Sequence, residues 1–158
     1  LLLSQNVFNV AAIRTIPLYR AASTVAFLFT LVTAFFIYNV IHAFNLLFVW
    51  NGVGVVIISF LLIIQILWSI KMEEGINTTI IIQSTILSLI LGELGMVFSF
   101  WPMATTMWSL TIASAMYFLL GLTTHYLRER LSKRVVWEYL AIGALVFIVA
   151  FFTTSWTG

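Results

Sequence analysis

The sequence predicts an all-α fold, a polytopic helical membrane bundle of about five transmembrane helices with its N-terminus inside. Hydrophobic residues make up 63% of the 158 positions and charged residues 8%, against roughly 25% charged in soluble domains. Mean hydropathy is +1.14, so no water-facing shell can be built from this material. The apolar runs are about 20 residues long, the length that crosses hydrocarbon as a helix, where a barrel would show strands of about ten alternating residues.

Taken in order, residues 1–17 mix Ser4, Gln5, Asn6 and Asn9 with aliphatics. They read either as an interfacial helix or as the tail of a preceding span. The chain opens on Leu1, which reads as the start of an excerpt or a trimmed chain, and no signal-peptide pattern precedes the first span. Pro17 is expected to break the helix, since proline removes one backbone donor and crowds the preceding turn. The first full span covers about residues 21–41, with Tyr38, His42 and Trp50 gathered at its exit like an interfacial belt. Asn45, Asn51 and Gly52 supply a turn-prone connection. The second span covers about 53–70 and the third about 76–101, closed by Pro102, which disfavours helix in the residue before it. A fourth span at about 104–126 leads into the charged segment 128–138, and a fifth follows at about 139–156. No linker or internal repeat divides the chain, so residues 1–158 read as a single transmembrane domain.

Topology follows from lysine and arginine alone. Arg14 and Arg20 precede the first span, Lys71 follows the second, and Arg128, Arg130, Lys133 and Arg134 follow the fourth. Five crossings place all seven basic residues on one side, and the opposite connections, 42–52 and 101–103, carry none. The positive-inside rule makes the basic side cytoplasmic. The expected location is therefore a membrane crossed several times, of the bacterial cytoplasmic type.

The third span holds the chemistry worth weighing. Glu93 lies about eight residues before Trp101, roughly 12 Å along the axis at 1.5 Å per residue. Ionised at that depth it would cost several kcal/mol, so it is expected to be neutral, paired or facing a wet cavity. Thr33, Thr111 and Ser114 lie at similar depth as neutral partners. Glu93 with Thr111 and Ser114 is thus the candidate intramembrane polar site. Ser84, Ser88 and Gly92, followed by Gly95, form a small-residue seam that admits a neighbouring backbone. The fourth span, joined by a tight turn, is the expected neighbour. Because Glu93 follows Gly92 by about 100° of rotation, it is expected to border that seam and face protein rather than lipid.

Other constellations carry less. Cysteine is absent, which excludes disulfides and thiolate chemistry. Aspartate is absent too, so the commonest ligand for hard cations is missing. His42 and His125 are expected about a bilayer apart, on the order of 30 Å, and to sit at the interfaces rather than share a metal. The basic loop of Arg128, Arg130, Lys133 and Arg134 serves as an orientation signal and can also attract anionic lipid at about 1 kcal/mol per charge. Asn77 opens an acceptor pattern for glycosylation, but on the cytoplasmic side it is expected to cap the third helix instead. No serine has both a histidine and a carboxylate to activate it, and no glycine loop suited to phosphate is present. No catalytic residue, cofactor or nucleic-acid partner is expected.

The stretches RTIPLYRAAST (residues 14–24), LILGELGMVFSFWP (89–102) and EYL (138–140) resemble an uncharacterised family of small bacterial integral membrane proteins. That family is a domain of unknown function found mostly in candidate-phyla bacteria. The resemblance implies a multi-span helical membrane protein and carries over no functional residue. From the residues themselves the expected role is a structural or accessory membrane module, working with the lipid bilayer and with a membrane protein partner or a homo-oligomer. The alternative is a small proton- or cation-coupled transporter using Glu93.

Overall fold

The computed structural model describes the backbone of residues 2–71, 75 and 77–155, and the side chains of 18–71, 75 and 77–155. Five α-helices account for nearly all of it, with no strand among the described residues: α1 Leu2–Ala43, α2 Phe48–Lys71, α3 Thr78–Ser99, α4 Thr105–Leu127 and α5 Lys133–Thr153. Leu18–Ala43 of α1 and the whole of each other helix are long and apolar enough to cross a membrane. Two expected limits, Ile76 and Trp156, lie outside the described residues, as does the side chain of Arg14.

Helix ends follow local chemistry. Asn77 caps α3 as expected, its side chain accepting from the Thr79 backbone N–H at 3.5 Å. Ser132 accepts from Val135 N–H at 3.3 Å and starts α5 at Lys133, earlier than the apolar run alone indicated. The polar first turn of α5 thus extends beyond the hydrophobic stretch, tied on its exposed side by Arg134 and Glu138 at 3.1 Å. At the end of α4, Arg130 N–H donates to His125 C=O and Glu129 N–H to Tyr126 C=O, each at 3.0 Å. This is a Schellman closure, with Glu129 at φ 54° in the left-handed position that glycine usually fills.

The chain divides into two compact units, Leu1–Thr30 and Leu31–Gly158. The first is helical throughout its described backbone, and the helix runs on through Pro17 where the sequence indicated a break. The ring forfeits one intrahelical hydrogen bond without ending the helix, as apolar helices tolerate.

In the second unit, successive helices run antiparallel. The first turn of α2 meets the last of α3 through Asn51 and Ser99, and Gly95 of α3 lies against Trp108 in the first turn of α4. Gly121 near the end of α4 meets Tyr139 near the start of α5. Lys71, the connection carrying Arg128 and Arg130, and the first turn of α5 with Lys133 and Arg134 consequently share one end, the basic end, so two of the four expected loop residues are helical. The core is made by Val55, Ile63 and Leu67 of α2, Ile80 and Leu91 of α3, and Trp108, Ile112, Met116 and Leu120 of α4, with Ala34 and Tyr38 of α1 against it. Of α5, Ala150 alone is buried among the described residues.

Candidate functional site

The small-residue seam of α3 is buried along its length: Ser84, Ser88, Gly92 and Gly95 all face inward. Its principal neighbour is α2, which corrects the expectation of α4. The contact is backbone to backbone. A Cβ placed on Gly92 would overlap Val56 and sit 3.1 Å from the carbonyl oxygen of Gly52. One placed on Gly52 would collide with Met96 and sit 3.0 Å from the carbonyl oxygen of Gly92. The two glycines therefore face each other reciprocally, the geometry that permits Cα–H to carbonyl contacts between helices. Sequence reasoning placed Gly52 in a turn because Asn-Gly is a strong turn signal. The signal it passed over is the spacing of Gly52, Val55 and Ser59, which share the buried face of α2.

Around that seam, polar side chains form short links toward the end opposite the basic loop. Asn51 donates to Ser99 Oγ at 3.2 Å, and Ser99 donates to Gly95 C=O at 2.7 Å. Tyr38 and Ser59 share a hydrogen bond of 2.6 Å, and Tyr38 also donates to Met116 Sδ at 3.4 Å. Either hydroxyl can supply the proton of the shorter contact. His42 stacks on Trp108, ring centroids 4.6 Å apart, with its Nδ1 3.3 Å from Thr105 Oγ1. These links join α1, α2, α3 and α4 in the half of the unit where Glu93 also lies. Three buried polar atoms there or along the seam have no hydrogen-bond partner among the described residues: Asn51 Oδ1, Ser84 Oγ and Trp108 Nε1.

Glu93 takes no part in any of this. It is exposed on the outside of α3, and no hydrogen bond or ion pair joins it to a described residue. The candidate group of Glu93, Thr111 and Ser114 is therefore not assembled. Thr111 donates to Met107 C=O and Ser114 to Thr111 C=O, each at 2.8 Å, so both hydroxyls close on their own helix. Helical rotation accounts for the difference. Gly92 meets α2, and Gly95 lies where α3 meets both α2 at Val55 and α4 at Trp108. At about 100° per residue, Glu93 points roughly 160° away from Gly95, to the far side of α3 from α4. Thr33 is exposed as well.

The histidines lie at opposite ends of α4, His42 against its first turn and His125 in its last, where Nδ1 is 2.9 Å from Gly121 C=O. At the basic end Arg128, Arg130, Lys133 and Arg134 are exposed. An open apolar groove of about 280 Å³ lies beside them between α3 and α4, lined in part by Gln83, Leu87, Leu122, Thr123, Tyr126 and Leu131. No group of three or more histidine, cysteine, aspartate or glutamate side chains converges among the described residues.

No curated protein and no solved structure matches the chain. A family model matches residues 13–153, from within α1 to the end of α5, and its family is described as "Protein of unknown function (DUF5656)"; the chain is a member of that family.

Proposed function

We propose that the protein is a non-catalytic structural or accessory module of the bacterial cytoplasmic membrane, a helical scaffold rather than a conduit. The observation that carries this is the pairing of a closed seam with an outward carboxyl. Gly52 and Gly92 bring α2 and α3 together at backbone distance, while Glu93, the ionisable residue of the α3 span, is turned away from the packed interior. A coupled transporter needs its titratable group on a path between the two sides, in contact with water or substrate. The basic end, with Lys71, Arg128, Arg130, Lys133 and Arg134, faces the cytoplasm in this proposal and meets anionic lipid headgroups.

Reconstituted protein should show no proton or cation flux above that of empty vesicles under an imposed pH gradient. A flux that is present in the wild type and lost in Glu93→Gln would establish the transporter instead. Orientation has its own test, since the chain has no cysteine. A single cysteine at Ser132 should react only with reagents that reach the cytoplasmic side, and labelling from outside would overturn the topology.

A further inference from the structure

We infer that the outer face of α3 is the interface for a second copy of this chain, with Glu93 of each copy hydrogen-bonded to Glu93 of the other. This goes beyond the scaffold role and depends only on the helices lying in a bilayer. A carboxyl presented to hydrocarbon with no partner is among the costliest groups a membrane helix can carry, and such residues normally face protein or water. Glu93 faces neither within the second unit. It lies about 9 Å along the axis from the end of α3 at Ser99, too far in for a short side chain to reach the interface easily.

The face around it is shaped for a helix. Ile82, Ile86, Leu89, Val97 and Phe100 are exposed above and below Glu93 at intervals of three and four residues, forming one straight apolar stripe. A single polar residue within such a stripe fixes register and partner number at a cost in stability, as a buried asparagine does in coiled coils.

The chemistry selects the occupant. A foreign partner would have to supply a base or hydroxyl at Glu93 depth. A copy of this chain needs nothing extra. Copies inserted with the same topology hold Glu93 at the same depth, and a two-fold axis along the membrane normal sets it against its own equivalent. A neutral carboxylic acid carries one donor and one acceptor, so two of them satisfy each other fully. The basic side chains described in the second unit cluster at the far end, so a parallel copy offers Glu93 no base at its depth, and on the facing α3 stripe the polar group it offers is Glu93.

Disulfide mapping in the full-length chain tests this directly, because no native cysteine interferes. Single cysteines at Ile86, Leu89 and Val97 in lipid vesicles should oxidise to dimers. Controls at the equally exposed Leu61 of α2 and Leu145 of α5 should not. In these backgrounds Glu93→Gln, which keeps a donor and an acceptor, should retain dimerisation. Glu93→Leu removes both hydrogen bonds of the reciprocal pair and should weaken dimerisation about eight- to eight-hundred-fold, the equivalent of two interhelical hydrogen bonds. The mass of the Glu93→Leu protein by light scattering, with its far-UV dichroism unchanged, separates lost association from lost folding. Equal cross-linking on all faces, a wild-type monomer at high protein-to-lipid ratio, an unchanged dimer in Glu93→Leu, or a different protein held stoichiometrically on this face would each overturn it. None of these results bears on ion flux, so the scaffold proposal stands or falls separately.

Discussion

Replacing Gly92 by alanine tests the close approach of α2 and α3 quantitatively. The new methyl would overlap Val56 and lie 3.1 Å from the Gly52 carbonyl. Overpacking of this kind costs about 1–3 kcal/mol, while alanine gains up to about 1 kcal/mol over glycine inside a helix. The net loss for Gly92→Ala should therefore fall at about 0–3 kcal/mol. A double-mutant cycle with Val56→Ala isolates the contact. Trimming Val56 removes the branch that collides, and the propensity gain of alanine appears on both sides of the cycle and cancels. The double mutant should be about 0.5–2 kcal/mol more stable than the sum of the single changes. Relief stays incomplete because the Gly52 carbonyl is backbone and cannot rotate away. Gly143→Ala on α5 is the matched control: a Cβ there meets nothing within 4 Å, so it should be neutral or stabilising by up to about 1 kcal/mol. Equilibrium unfolding in mixed micelles of mild detergent and dodecyl sulfate, followed by circular dichroism, measures all five proteins. Additivity within about 0.3 kcal/mol would show that Val56 and Gly92 do not meet, and the description of the seam would fail with it.

Three further outcomes are expected. Tyr38→Phe should cost about 1 kcal/mol by removing the bonds to Ser59 and Met116, and Ser59→Ala added to it should cost little more, as measured by the same unfolding titration. Glu129→Gly should stabilise the protein by about 1–2 kcal/mol, since glycine adopts the left-handed geometry at φ 54° without a side-chain penalty. An unchanged unfolding midpoint would refute that. Glu138→Gln should change stability by less than about 0.5 kcal/mol, because its bond to Arg134 is a solvent-exposed pair of low worth.

Much of the fold was legible because length and apolarity are what a bilayer demands. Five helices emerge where five apolar runs were read, and Asn77 caps α3 where it was expected to. The faces of those helices were far less legible. In water a buried stripe stands out against a polar one, but in hydrocarbon Leu89 outside and Leu91 inside are chemically alike. Ser84, Ser88 and Gly92 announced a close neighbour without naming it, and α2 rather than α4 took the place. Glu93 was read as bordering the seam because it follows Gly92, yet the same 100° step carried it past the contact and out the other side. Gly52 was lost to a turn signal that packing overrode. The start of α5 is hidden from apolarity because its first turn, Lys133 to Val136, begins with two cations and is set by the Ser132 cap.

The α2–α3 pairing also has a consequence for how the protein is made. Its two partners are consecutive, and only residues 72–77 separate Lys71 from Thr78. The two helices form one hairpin, so their contact needs no later part of the chain. Both helices leave the ribosome before α4 does, so the Gly52–Gly92 contact can close as a helical hairpin on entry into the bilayer. α4 is then received by a finished surface through Gly95 and Trp108, and α5 arrives last, resting on α4 through Gly121 and Tyr139. Substitutions at Gly52 or Gly92 should accordingly act on biogenesis, as lower insertion yield and faster clearance of the nascent chain, before any property of the mature protein is affected.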